Sequence, residues 1–185
     1  MSKLAAAFVT AAALAFATQA PAQEGKKEAS KNQASAKKQG KMAGPDMKFM
    51  REMAQANLAE VQAGKMAASK ASSSEVKKYG QHMVDDHSKA LSEARTMAKA
   101  KGAELPSQPK KKHQEAMKKL QQAKGESFDK QFMQQMVKDH EEALKLHQDA
   151  AKSAKDPQLK AQAEKSVPVI QKHLEEAKSI VSSLK

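Results

Sequence analysis

The chain has no cysteine and no tryptophan, and among its 185 residues stand one tyrosine and five phenylalanines. Without cysteine there are no disulfides, no thiolate metal ligands and no cysteine nucleophile. Aromatics make up only 3%, and alanine and methionine supply much of the 39% hydrophobic content. Seven glycines and six prolines are too few for a turn-rich β protein, and no stretch alternates as a half-buried strand does. There is no glycine-rich phosphate loop, no paired-carboxylate pattern and no serine–histidine–aspartate arrangement. Long tracts of Ala, Lys, Glu, Gln and Met instead predict an all-α fold with a thin core of small and flexible side chains.

Acid is also scarce relative to base: 33 Lys and Arg against 21 Asp and Glu give a formal charge of +12. Such a surface suits anionic envelope components. Lys110, Lys111 and Lys112 with Lys118 and Lys119 lack interleaved aromatics, so nucleic acid is not an expected partner.

Residues 1–22 have the layout of a cleavable signal peptide: Lys3, an apolar run over 4–17, and Ala20-Pro21-Ala22 before the expected cut. The run is short for a bilayer span, so no transmembrane segment is expected in the mature chain, and its location is expected to be periplasmic or secreted. Residues 23–44, with six Lys and two Glu and little to bury, read as a disordered basic linker. The folded domain is expected over 45–185.

Within it, four long helices are predicted at about 46–70, 74–101, 126–154 and 157–184, with a shorter one at about 109–124. Ser72 to Glu75 reads as a capping box. Asp156-Pro157 reads as an N-cap followed by proline in the first turn. Gly102 is placed to end the second long helix, and Pro168 is expected to kink the last. Met47, Met50 and Met53 recur at helical spacing. Soft thioethers can bind Cu(I), but that spacing is the ordinary mark of core packing.

A seven-residue pattern occurs twice, Q-H-M-V-D-D-H over 81–87 and Q-Q-M-V-K-D-H over 134–140. Each ends in a histidine in register with apolar residues. Glu60 interrupts the apolar stripe of the first helix, and His173 lies on that of the last. Short links make the first two and the last two long helices antiparallel neighbours; the long middle link lets the second and third run in one direction. At 1.5 Å per residue, Glu60, His87, His140 and His173 then fall within roughly 6 Å of one depth.

One carboxylate and three imidazoles at one level are either a closed polar network or ligands for a divalent zinc, iron, copper or manganese ion. Asp86 and Asp139, each preceding an inner histidine, are candidate supporting residues behind those ligands. His82 is expected to pair with Asp86, and His113 and His147 to lie exposed or at the bundle edge.

Glu60 in Ala59-Glu60-Val61, Glu75-Val76-Lys77, Met83 with Asp86-His87, Leu105-Pro106, Phe128-Asp129, His140, Asp156-Pro157 with Leu159-Lys160, Pro168 and His173-Leu174 resemble the secreted bacterial family called domain of unknown function 4142. The resemblance covers about 46–184. It implies the ferritin-like superfamily: a four-helix bundle with a long crossover, here carrying the short extra helix. Glu60, His87, His140 and His173 match the family's recurrent polar positions, while Phe132 stands where the family often has tyrosine. The Glu-x-x-His motif of di-iron bundles is missing: Val84, Val137 and Ile170 stand three residues before the histidines. The functional readings are a metal-binding envelope bundle, a metal-free structural or interaction module, and a metal-dependent redox enzyme. An enzyme is the less expected outcome, and no catalytic residue is assigned.

Overall fold

The computed structural model describes Met42 and residues 44–184. The leader expected over 1–22 lies outside these residues, as does the 23–44 linker apart from Met42 and Gly44. Five α-helices and no strands occur among the described residues: α1 Gly44–Lys70, α2 Ser74–Ala100, α3 Lys111–Gln122, α4 Gly125–Ser153 and α5 Pro157–Ser183. The architecture is a ferritin-like four-helix bundle, with α3 riding on the crossover from α2 to α4.

The helix ends follow from local chemistry. Ser73 caps α2, its hydroxyl accepting from the Glu75 amide. This corrects the expected capping box: the cap falls one residue later than Ser72, and the Glu75 carboxylate instead accepts from the Ser183 hydroxyl. Asp156 caps α5 as expected, accepting from the amides of Gln158 and Leu159. Gly102, at φ 65°, takes the left-handed turn that ends α2, and the Ala103 amide closes onto the Ala98 carbonyl at 2.9 Å. α5 is continuous across Pro168.

Two buried carboxylates fix how the hairpins face each other. Asp46, at the start of α1, accepts from the amides of Lys155 and Asp156, in the turn before α5. Asp129, near the start of α4, accepts from the amides of Ser72 and Ser73, in the turn before α2. The starts of α1 and α5 therefore share one end of the bundle and those of α2 and α4 the other. Hence α2 and α4 run in the same direction, as the link lengths require.

The two clamps stand in one register. Asp129 lies 83 positions after Asp46, and the clamped Lys155 and Asp156 lie 83 after Ser72 and Ser73. The same offset carries α2, 74–100, onto α5, 157–183, and the end of α1 onto the end of α4. Asp-x-x-Phe-Met-x-x-Met occurs at 46–53 and again at 129–136. The bundle is thus two copies of one helical hairpin, α1–α2 and α4–α5. The seven-residue repeat ending at His87 and His140 links α2 to α4 and does not follow this register.

Within the first hairpin α1 and α2 touch at backbone level. A Cβ at Gly64 would lie 2.6 Å from the Gly80 carbonyl oxygen, and one at Gly80 would lie 2.7 Å from the Ala67 Cβ. Apolar side chains gather in two clusters. Tyr79, Met83, Phe128, Phe132, Met133 and Met136 centre one; Phe49, Met50, Met53, Ala98, Leu159 and Ala163 centre the other. Met50 and Met53 are core residues, as their spacing suggested. A layer of polar side chains separates the two clusters.

Candidate metal centre

Glu60, His87, His140 and His173 are all buried, one from each long helix. The three imidazole rings form a near-equilateral triangle, with centroids 5.6, 5.5 and 5.5 Å apart. The depth match expected from counting residues along the helices is therefore realised within a single layer.

Each ring is held from outside by an oxygen. His140 Nδ1 lies 2.9 Å from the Met136 carbonyl oxygen, one turn back on α4. His87 Nδ1 lies 2.9 Å from Glu60 Oε2 and 2.8 Å from Asn57 Oδ1. The Asn57 amide nitrogen donates to the Met53 carbonyl, which turns its oxygen toward His87. His173 Nε2 lies 3.0 Å from Asp86 Oδ2. Carbonyls and carboxylates only accept, so each of these nitrogens carries the proton. In the neutral rings the other nitrogens, His87 Nε2, His140 Nε2 and His173 Nδ1, then carry lone pairs. All three are buried without a hydrogen-bond partner, as is Glu60 Oε1. One nitrogen from each ring lies within 4.8 Å of the others. In that all-neutral form three acceptors face one another, and acceptors cannot satisfy each other.

Charge is distributed unevenly over the layer. Burial opposes ionisation of Glu60, but His87 in contact, helped by His140 and His173, holds its carboxyl down at about 2. Burial pushes His87 down, yet Glu60 and Asp86 outweigh it and set its pKa above the usual histidine value. His140 lies below that value, because burial there exceeds the pull of Glu60. Burial and the two neighbouring histidines depress His173 to about 4.

The structure brings three of the four expected donors together and sets Glu60 beside them, on the Nδ1 sides of His87 and His140 (3.8 Å to the latter). Of the two aspartates expected in support, Asp86 backs a triad ring, though that of His173 on another helix. Asp139 points away, with its Oδ1 3.0 Å from Gln135 Nε2 and 3.8 Å from His113 Nδ1. Adjacent helical residues project about 100° apart, which accounts for the divergence. Burial, reinforced by the Glu60 charge, raises the Asp139 carboxyl to about 7.

Two other expectations are corrected. His82 reaches Glu176 at 3.7 Å rather than Asp86, which is taken by His173. His147 is buried, with Nδ1 on the Ala143 carbonyl and its ring edge-on to Phe49 at 5.2 Å. It occupies the fourth place of the apolar stripe after His140, Ala143 and Leu144, so the periodicity could have found it. His113 is half-buried at the bundle edge, as expected. The one tyrosine, Tyr79, is fully buried beneath the layer, its hydroxyl donating to the His173 carbonyl at 3.2 Å and its ring 6.4 Å from that of His140.

A cavity of about 220 Å³ adjoins the layer. His87, His173 and Glu60 line it, as do the exposed Lys89 of α2 and Lys165 and Val169 of α5.

Fold and site together define an all-α, ferritin-like bundle with a histidine-rich waist. The model of the family described as "Domain of unknown function (DUF4142)" matches residues 31–180, and the chain belongs to that family. No curated protein matches it. Solved structures share the fold, among them the following three. A DUF305 fragment from Deinococcus radiodurans is 11% identical with a TM-score of 0.70, covering 77% of this chain and 99% of that one. A DUF305 protein from Streptomyces coelicolor described as secreted is 13% identical with a TM-score of 0.66, covering 76% and 93%. CopM in a Cu(II)-bound form is 18% identical with a TM-score of 0.66, covering 76% and 97%. No helix among the described residues is long and apolar enough to cross a membrane.

Proposed function

We propose that this chain is an exported, periplasmic metal-binding bundle that holds one divalent transition-metal ion on His87, His140 and His173. Glu60 and Asp86 act behind His87 and His173, fixing ring orientation and supplying negative charge, as carboxylates behind ligating histidines commonly do. The observation that carries the reading is the set of three buried ring nitrogens, unpartnered and within 4.8 Å of one another. Each buried acceptor left unmatched costs about 1–3 kcal/mol, and one cation satisfies all three at once. Imidazole nitrogens suit zinc, copper or iron. The Cu(II)-bound neighbour of the same fold makes Cu(II) the first ion to test.

A metal-free structural layer is the competing reading. It draws on the Glu60–His87 contact, a charged pair that supports itself. That pair leaves His140 Nε2 and His173 Nδ1 without partners, which is why the metal reading is preferred. Elemental analysis of protein purified without a histidine tag decides between them. One equivalent of metal that is lost in His140→Ala supports the proposal. A metal-free protein whose melting is unmoved by Cu(II) or Zn(II) refutes it.

A further inference from the structure

The hairpin register gives every site residue a counterpart 83 positions away. For Glu60 it is Ala143, for His87 Ile170, for His140 Asn57 and for His173 Ala90. All four counterparts line the 220 Å³ cavity. The cavity therefore occupies the place where a second, symmetry-related polar layer would stand. Two alanines opposite a glutamate and a histidine leave that half of the waist hollow. A duplicated fold has kept donors on one side and space on the other.

Resting on the metal reading above, we propose that this hollow is the binding site for a small neutral molecule. It would carry one donor atom, which completes the coordination of the ion, on a largely apolar body. Size sets the first limit: the space equals about seven waters at ~30 Å³ each and is smaller than the usual ~300 Å³ floor for drug-sized ligands, so it fits a single small ring. Surface sets the second. Met53, Leu146, Ile170 and Val169 supply apolar wall, and His87 and His173, two of the three ligand rings, border it. Charge sets the third. Bound to an ion, the three imidazoles add no charge, the carboxylates of Glu60 and Asp86 balance a dication, and the exposed Lys89 and Lys165 are screened by solvent, so an anionic ligand gains little there. His147 also lines the space. Its Nδ1 donates to the Ala143 carbonyl, so its second nitrogen is an acceptor for an N–H or O–H on the guest.

The test uses wild-type protein loaded with Co(II), with loading read by elemental analysis, and 4-methylimidazole as the probe. The visible d–d bands of Co(II) report a new ligand, and metal content is measured again after titration. Saturable spectral change with cobalt retained is expected. Ala90→Leu and Ala143→Leu, which fill the hollow from α2 and from α4, should keep one cobalt and weaken probe binding about tenfold or more, as loss of ~1.4 kcal/mol would. Azide should bind more weakly than 4-methylimidazole. No saturable change in loaded wild type, or equal affinity in two folded, loaded variants, overturns the proposal. Tighter binding of azide overturns its assignment to a neutral ligand. Protein that takes up no cobalt fails at the loading step, which refutes the metal reading and this one with it.

Discussion

Replacing His140 with leucine should leave the metal-free protein as stable as the parent, or more stable, while abolishing its response to metal. The substitution removes Nε2, a buried acceptor without a partner, and so relieves about 1–3 kcal/mol. It also removes the Nδ1–H bond to the Met136 carbonyl, worth about 1 kcal/mol. That carbonyl belongs to the α4 ladder, so no new orphan is created. His140 is buried with its pKa depressed and adds no positive charge that Glu60 would miss at neutral pH. The expected change in EDTA is therefore between zero and about 2 kcal/mol of stabilisation. Parent protein with free Cu(II) at a hundred times its dissociation constant should gain about 2.7 kcal/mol, and the variant should gain none. Urea unfolding of both proteins, in EDTA and in metal, gives all four numbers. A variant more than about 2 kcal/mol less stable than the parent in EDTA would show that His140 belongs to a satisfied network, and the reasoning would fail.

Four further outcomes follow from the same structure. Asp86→Asn, which weakens the acceptor holding His173 Nε2, should lower metal affinity about 10–100-fold by competition titration; unchanged affinity would exclude a supporting role. Asp129→Ala strips acceptors from the amides of Ser72 and Ser73 and should cost about 2–4 kcal/mol in urea, with Asp129→Asn recovering part of it. Gly64→Ala sets a methyl against the Gly80 carbonyl and should cost about 1–3 kcal/mol; a neutral result would mean that the two helices part freely. In EDTA and in an Asp139→Asn background, stability should decline as pH falls from about 6.5, the unfolded value, to about 4, where folded His173 titrates, because the unfolded chain takes up more protons across that window; the substitution removes the Asp139 carboxyl, which, raised to about 7, takes up its proton in the folded chain and acts with the opposite sign. His140 and His147, also depressed by burial, push the same way. His87, raised, contributes with the opposite sign above pH 6.5. Urea midpoints that stay flat across the window would contradict the assignment.

Most of the fold was legible because it is written locally. Apolar periodicity and caps such as Asp156-Pro157 placed every helix end within about two residues, the usual fraying of such boundaries. The shared level of Glu60, His87, His140 and His173 was legible for a different reason: helical rise is constant and short links force antiparallel neighbours, so position along the chain converts to depth. What the sequence concealed is long-range. Asp46 and Asp129 gave no sign of their partners, since nothing in their neighbourhood announces an acceptor for a turn in the other hairpin. The one available signal was the repeated Asp-x-x-Phe-Met-x-x-Met, outshone by the more alike but structurally unrelated repeats ending at His87 and His140. Glu60 read as a fourth inward donor, because helical phase fixes which face a residue occupies but not which side of a neighbouring ring its carboxylate meets. The cavity was hidden because it is made of what Ala90 and Ala143 omit.

The split of the donors across the two hairpins has a kinetic side. His87 comes from one hairpin, His140 and His173 from the other, and the clamps at Asp46 and Asp129 tie the same two bodies at their tips. An ion at the waist would rivet a seam that is already stitched at both ends. For the ion to leave, the halves must spread while those end stitches hold. Its dwell time would then follow the breathing of the whole bundle more than the strength of any single nitrogen–metal bond.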